Sequence, residues 1–355
     1  MTAPLVWHVL LALAVVVIAG RLFGRLVGAA GQPPVIGEVL SGILLGPSLL
    51  GLIAPGVERY VFPLEVRPAL GVVAHAGVVL YMFLVGLEFD TALLKQRAAA
   101  LIVTSQASIA VPFLLGCAVA VAIHDGLSPT GVSPTRFALF MGVAMSITAF
   151  PVLARILTDR GLARTDLGVA AMTCAAINDI MAWCLLALVV GAARAMPGGS
   201  GPGELVIAFA AGVMIPHQSA FAVMTSRWLN GVVIVLLLPA FFALTGLRTQ
   251  LALVSSWHDV AVCLLIIAAA AAGKFGGAAF AGRLMGMPWS FAAQLGALMN
   301  TRGLMELVVL NIGLDAGLIS PALFTMMVVM ALVTTAMTAP LLDWLRRSGA
   351  VPAPA

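Results

Sequence analysis

The chain is 355 residues long, 62% hydrophobic and 9% charged, with a formal net charge of +4. Soluble domains carry about 25% charged residues, so this composition excludes an ordinary soluble module and indicates an all-α polytopic membrane protein. The basic residues are spread over loops with no basic patch, which removes nucleic acid as an expected partner.

Eleven candidate helices follow in chain order, at about 5–27, 35–53, 69–87, 98–123, 137–157, 166–193, 204–215, 229–247, 258–285, 290–314 and 320–345. Apolar runs of this kind can cross a bilayer core of about 30 Å, but the seventh is too short to span alone. The first run, Leu5 to Ile18, has no basic segment before it and no small-residue cleavage site behind it, so it is read as a retained helix. The stretch RAMPGGSGPGE, 194–204, has the composition of a turn or linker. Cys117, Cys174, Cys184 and Cys263 lie in apolar runs without metal-ligand spacing and read as buried packing thiols.

Eleven basic residues, among them Arg21, Arg25, Arg155, Arg160 and Arg346, fall on one side of this arrangement, and five, including Arg59, Arg136 and Arg248, on the other. The positive-inside rule puts the richer side in the cytoplasm. The expected orientation has the N-terminus outside and the C-terminus inside the plasma membrane.

The two halves of the chain echo each other. FLVGLEFDTALL (83–94) resembles ALTGLRTQLAL (243–253), SGILLGP (41–47) resembles AGVMIP (211–216), and LTDRGLA (157–163) resembles GLDAGLI (313–319). The matches keep their order at offsets of about 154–170 residues. They predict a first repeat at 1–193, a linker at 194–203, an incomplete second repeat at 204–345 and a cytoplasmic tail at 346–355. Matching segments run in opposite directions across the membrane, as in inverted-repeat transporters, whose substrate sites lie near the midplane where broken helices meet.

Charges inside the membrane are costly and mark function by default. Four stand out: Asp179, Lys274, Arg302 and Glu306. Asp179 lies near the middle of the 166–193 helix. It is either half of a structural salt bridge or an ion-binding carboxylate. Na+ and K+ prefer oxygen ligands, and a carboxylate also takes a proton, so one site holding either ion gives exchange by competition. Asn178 offers an amide oxygen as a ligand, or a hydrogen bond that positions a neighbouring segment. SITAFPVL, 146–153, interrupts the fifth helix: Pro151 removes a backbone donor, while Ser146 and Thr148 offer hydroxyls. It is either a proline kink or an unwound stretch facing the cavity of Asp179. Its counterpart is MNTRGLMEL, 299–307, where Asn300, Thr301 and Gly303 mark the expected break. Arg302 and Glu306, four apart, are read as a mutual pair or as charges neutralising helix ends, with direct substrate contact as the alternative. Lys274, in the small-residue stretch AAAAAGKFGGAAF, needs a partner, and Asp179 is the leading candidate; a fixed structural cation is the alternative. Glu88, Asp90 and Arg248 read as interfacial, His75 as a packed residue, and the Gly42/Gly46 pair as a helix-packing motif.

No P-loop, HExxH, zinc-spaced Cys pair or GxSxG is present. An ATP-driven pump or a familiar hydrolase is therefore not expected, nor is any cofactor.

PPVIGEVLSGILLGPSLLG, FLVGLEFD, AAINDIMAW, GKFGG and MNTRGLMELVVLNIGL resemble the monovalent cation:proton antiporter-2 family of sodium/hydrogen exchanger-like proteins. The Asn-Asp form most resembles the branch with plant cation/proton exchangers and their bacterial relatives. The resemblance covers nearly the whole chain. It implies a core domain moving against a dimerisation domain in an elevator-like cycle, and a homodimer. It also implies two crossing broken helices near 146–151 and 299–304. Asp179 matches the ion-binding acid, Asn178 its neighbour, Lys274 the basic residue before the second break, and Thr148 falls in the first break. Family members carry about two more helices between the Asn-Asp helix and AAGVMIP than this chain does.

The expected function is secondary antiport of H+ against Na+ or K+ on Asp179, across a lipid bilayer and without ATP or prosthetic group. Asn at 178 leaves one obvious carboxylate and favours one-for-one exchange, with Lys274 as an alternative second proton carrier. Two other readings stay open: a transport-inactive shortened scaffold or partner subunit, and a cation channel using the same site.

Overall fold

The computed structural model of the chain describes residues 3–88, 98–193, 203–215 and 219–347. Asp90, residues 194–202 of the expected 194–203 linker and the tail beyond 347 lie outside the described residues. The chain is helical and divides into two compact units, Met1–Asp90 with Ser200–Leu253, and Thr91–Gly199 with Val254–Ala355. Each half of the chain thus supplies its earlier part to one unit and its later part to the other. Among the described residues, 8 helical segments are long and apolar enough to cross a membrane.

The first unit holds α1 (Ala3–Ala29), α2 (Pro34–Leu45), the short α3 (Leu50–Ile53) and α4 (Pro55–Val61), α5 (Arg67–Glu88), α10 (Gly203–Met214), α11 (Ala220–Val232) and α12 (Leu238–Arg248). A π-helical turn, Val233–Leu237, joins α11 to α12. The eighth predicted segment therefore starts earlier than 229. The predicted 35–53 helix is split, because Gly46 precedes Pro47 and a residue before proline is pushed out of the helical region. Gly42 and Gly46 do pack helices: a Cβ on Gly42 would meet the Ala243 carbonyl oxygen at 2.5 Å, so α2 and α12 touch through backbone. Ser48 locks the far end, donating to the Thr249 carbonyl at 2.9 Å and accepting from the Leu251 N–H at 3.1 Å. His75 is exposed on α5 rather than packed. Of the four thiols expected to be buried, Cys174 and Cys263 are, Cys117 is half-buried and Cys184 is exposed.

The second unit runs one pattern twice. A long helix, α6 (Ala98–Leu127), is followed by a broken one, α7 (Pro134–Ser146) and α8 (Phe150–Asp159), and by another long helix, α9 (Asp166–Ala193). Then come α13 (Trp257–Leu284), broken α14 (Trp289–Met299) and α15 (Leu304–Asp315), and α16 (Pro321–Arg347). Local chemistry sets the ends. Ser256 and Asp259 form a reciprocal capping box at the start of α13. The LTDRGLA and GLDAGLI echoes are matching helix stops. Gly161 and Gly317 take left-handed φ of 66° and 65°. The Leu162 and Leu318 N–H groups reach back to Leu157 and Gly313 carbonyls at 2.7 and 2.8 Å, closing a Schellman motif after each broken helix.

Candidate ion-binding site

The two breaks cross. Ile147 to Ala149 leave the helix between α7 and α8, and Asn300 to Gly303 do so between α14 and α15. The Ala149 N–H donates to the Thr301 carbonyl at 3.1 Å, and Thr148 Oγ1 donates to the Met299 carbonyl at 3.2 Å. Pro151 is not the point of rupture. It sits in the first turn of α8, where a missing N–H costs nothing. Gly303 is needed for space rather than for a special φ: a Cβ there would meet Val152 Cγ2 at 2.7 Å.

A helix end leaves four carbonyls without partners. The last four of α7 are all taken by side chains. Ser146 Oγ donates to Val143 at 2.8 Å, Arg302 donates to Ala144 at 3.3 Å and to Met145 at 2.8 Å, and Lys274 Nζ donates to Ser146. Two basic side chains from the second half thus converge on the negative end of the α7 dipole. Arg302 also pairs with Glu306 at 3.0 Å, both fully buried, and Glu306 lies in the first turn of α15, where the helix dipole favours an anion. Both alternatives expected of this pair, mutual pairing and neutralisation of helix ends, occur together.

Lys274 does not pair with Asp179. Its ammonium donates to Thr148 Oγ1 at 2.6 Å and to the Ser146 carbonyl. The charges alone suggested the ion pair; the oxygens freed by the break are the nearer acceptors. Thr148 is the hub of the crossing, because it also accepts from Asn178 Nδ2 at 3.1 Å. With its proton on Met299, its hydroxyl is saturated. A cation reaches Thr148 only by displacing Lys274 or Asn178.

Asn178 is wholly buried and serves as a brace. Its Oδ1 accepts from Ser105 Oγ at 2.6 Å, and its Nδ2 donates to Ser108 Oγ at 2.9 Å as well as to Thr148. Asp179, 3% exposed, has both carboxylate oxygens buried with no hydrogen-bond partner among the described residues. Asn300 donates to the Thr334 carbonyl at 3.3 Å, and Thr301 caps Leu298 at 2.7 Å. Ser105, Ser108, Thr334 and Thr335 were not singled out from sequence, since hydroxyls in apolar helices usually bond their own backbone.

The family model described as "Sodium/hydrogen exchanger, transmembrane" matches residues 9–208 and 203–344. The chain belongs to the sodium/hydrogen exchanger family. It is 40% identical to the Na+/H+ antiporter NhaS4 of Synechocystis over 92% of its own length and 95% of that protein's. It is 34% identical to cation/H+ antiporter 17 of Arabidopsis thaliana and 31% identical to K+/H+ antiporter 1 of Saccharomyces cerevisiae, covering 47% and 43% of their lengths. The chain thus spans under half of these longer relatives. The solved structure of the sodium proton antiporter MjNhaP1 from Methanocaldococcus jannaschii shares the fold, with TM-score 0.62 and 13% identity over 97% of this chain and 98% of that one. The alignment to the Synechocystis protein runs over 388 positions, more than the 355 residues here, so part of that protein has no counterpart in this chain. The family model itself matches in two pieces that meet at 203–208, the start of α10.

Proposed function

We propose that this multi-pass membrane protein exchanges H+ for Na+ or K+ by alternating access, with proton and cation competing for Asp179. The reading rests on one observation above all: a buried carboxylate, at a helix crossing, whose oxygens lack hydrogen-bond partners. An isolated buried charge costs several kcal/mol. A proton or a cation on those oxygens removes that cost, and either one excludes the other. The relatives named as Na+/H+, K+/H+ and cation/H+ antiporters support the same activity. Asn178 and Thr148 shape the site, Lys274 and Arg302 hold the end of α7, and Glu306 balances Arg302. All six residues lie in the second unit, so the site moves as one piece through the cycle. The repeated pattern in that unit and the interleaving of the two units support a duplicated origin, with repeats at 1–193 and 204–345. The orientation with the C-terminus in the cytoplasm of the plasma membrane, and a homodimer, belong to the same proposal.

The test is cation-driven proton flux in proteoliposomes. An imposed Na+ or K+ gradient moves protons through the unaltered chain and not through Asp179→Asn. The positions of the Synechocystis protein without a counterpart here, and the division of the family match at 203–208, make the scaffold reading the rival; folded protein that moves no protons under any gradient decides for it. Cation flux without proton counterflow decides for a channel.

A further inference from the structure

We infer that Ser105 and Ser108 of α6 are positioning residues for the ion site: together they fix the Asn178 side-chain amide so that its NH2 group braces Thr148 across the first helix break. The inference rests on the antiport reading and deepens it.

An amide has two ends that differ only in hydrogen-bonding sense, so its orientation is set by its neighbours. Ser105 Oγ has one proton and two acceptors in reach, Asn178 Oδ1 at 2.6 Å and the Cys174 carbonyl at 3.1 Å, and it donates to the nearer, Asn178. Ser108 Oγ spends its own proton on the Ser105 carbonyl at 2.8 Å and can therefore only accept, which it does from Asn178 Nδ2 at 2.9 Å. One serine selects the oxygen end and the other the nitrogen end. The remaining N–H then points at Thr148 Oγ1, 3.1 Å away. That contact and the Lys274 ammonium fill both lone pairs of the hydroxyl, which leaves its proton for Met299 of the second break. Both serines and Asn178 are fully buried, so water does not compete for these bonds.

The same stretch of α6 also fixes where Lys274 stands. Gly277 of α13 lies against it so closely that a Cβ would meet the Ala107 carbonyl oxygen at 2.8 Å, and one on Gly273 would meet Pro112 Cα at 2.9 Å. Helix α6 thus sets both groups that Thr148 accepts from, through serines on the side of α9 and through close backbone approach on the side of α13. Without the serines the Asn178 amide is free to turn its oxygen towards Thr148, where it competes for the proton that holds Met299, and the break beside Asp179 loosens.

The experiment measures cation-dependent proton flux for Ser105→Ala, Ser108→Ala and Ser105→Thr, each alone and combined with Asn178→Ala, in proteoliposomes. Ser105→Ala and Ser108→Ala should each raise the apparent cation KM about fivefold, the worth of one buried hydrogen bond, with the maximal rate nearly kept. Ser105→Thr, which retains the hydroxyl, restores the original KM and covers the case in which alanine fails to fold. In the Asn178→Ala background the serine substitutions change nothing further. An unchanged KM, or the same rise in the Asn178→Ala background, overturns the inference while leaving the antiport reading intact. An unaltered chain with neither flux nor cation-dependent thermal stabilisation overturns the antiport reading, and this inference with it.

Discussion

The two halves of the second unit repeat one architecture and fill its centre with different chemistry. Asp179 lies 13 residues after the first residue of α9, and Thr334 lies 13 after the first residue of α16. At the middle of α16, Thr334 and Thr335 are fully engaged. The Thr334 carbonyl accepts from Asn300, while the Thr335 hydroxyl donates to the Arg302 carbonyl at 2.9 Å and accepts from the Arg302 N–H at 3.0 Å. At the middle of α9 the neighbour of the acid is braced and the acid itself is left unpartnered. The break beside α16 carries its own ion pair, Arg302 with Glu306, whereas the break beside α9 borrows both of its cations from the other half. The second break also keeps single unpartnered atoms, Asn300 Oδ1, Arg302 Nε and Glu306 Oε2, but Asp179 is the carboxylate with both oxygens unpartnered among the described residues.

Substitutions separate these roles. The largest expected effect is Asp179→Asn, which brings cation-driven proton flux to background without lowering stability, since it removes an uncompensated buried charge. Thermal unfolding in detergent checks the second half of that statement. Arg302→Met does the opposite. It strands Glu306 and two carbonyls of α7 and costs about 3–5 kcal/mol, the range for breaking a buried pair. A loss under about 1 kcal/mol by denaturant titration would put the second break outside the structural role assigned to it. Thr148→Val and Thr335→Val form a closer comparison. Each removes two or three buried hydrogen bonds, at about 1 kcal/mol apiece. Flux per folded molecule falls sharply for Thr148→Val and holds for Thr335→Val. The smallest effect belongs to Arg160→Ala. Its bidentate bonds to Asp343, at 3.2 and 3.0 Å, sit at the partly exposed ends of α8 and α16, where such pairs contribute under about 1 kcal/mol.

How much of this is legible in sequence depends on contrast. Asp179, Lys274, Arg302 and Glu306 stand out because a charge in an apolar run has few structural excuses. The Arg302–Glu306 pair follows from a spacing of four. The echo of LTDRGLA in GLDAGLI carries the matching helix stops, because a left-handed cap needs glycine and its flanking leucine at fixed places. What the sequence hides is backbone. The acceptors that hold Lys274 and Arg302 are carbonyls freed by the α7 break, and no residue letter marks a free carbonyl. That is why Lys274 reads as a partner for Asp179 and is found at Ser146 and Thr148 instead. Ser105 and Ser108 are hidden for another reason. Thr104, Thr173 and Thr245 bond the carbonyl one turn back in their own helices, at 2.8, 2.8 and 3.0 Å, and nothing in the sequence distinguishes them from the serines that reach across to α9.

The most direct test of competition on one carboxylate is proton release on cation binding, measured on purified protein in weakly buffered detergent solution. Addition of Na+ or K+ should release about one proton per cation bound from the unaltered chain, and none from Asp179→Asn. Cation binding with no proton release, or release that persists in Asp179→Asn, would contradict the account.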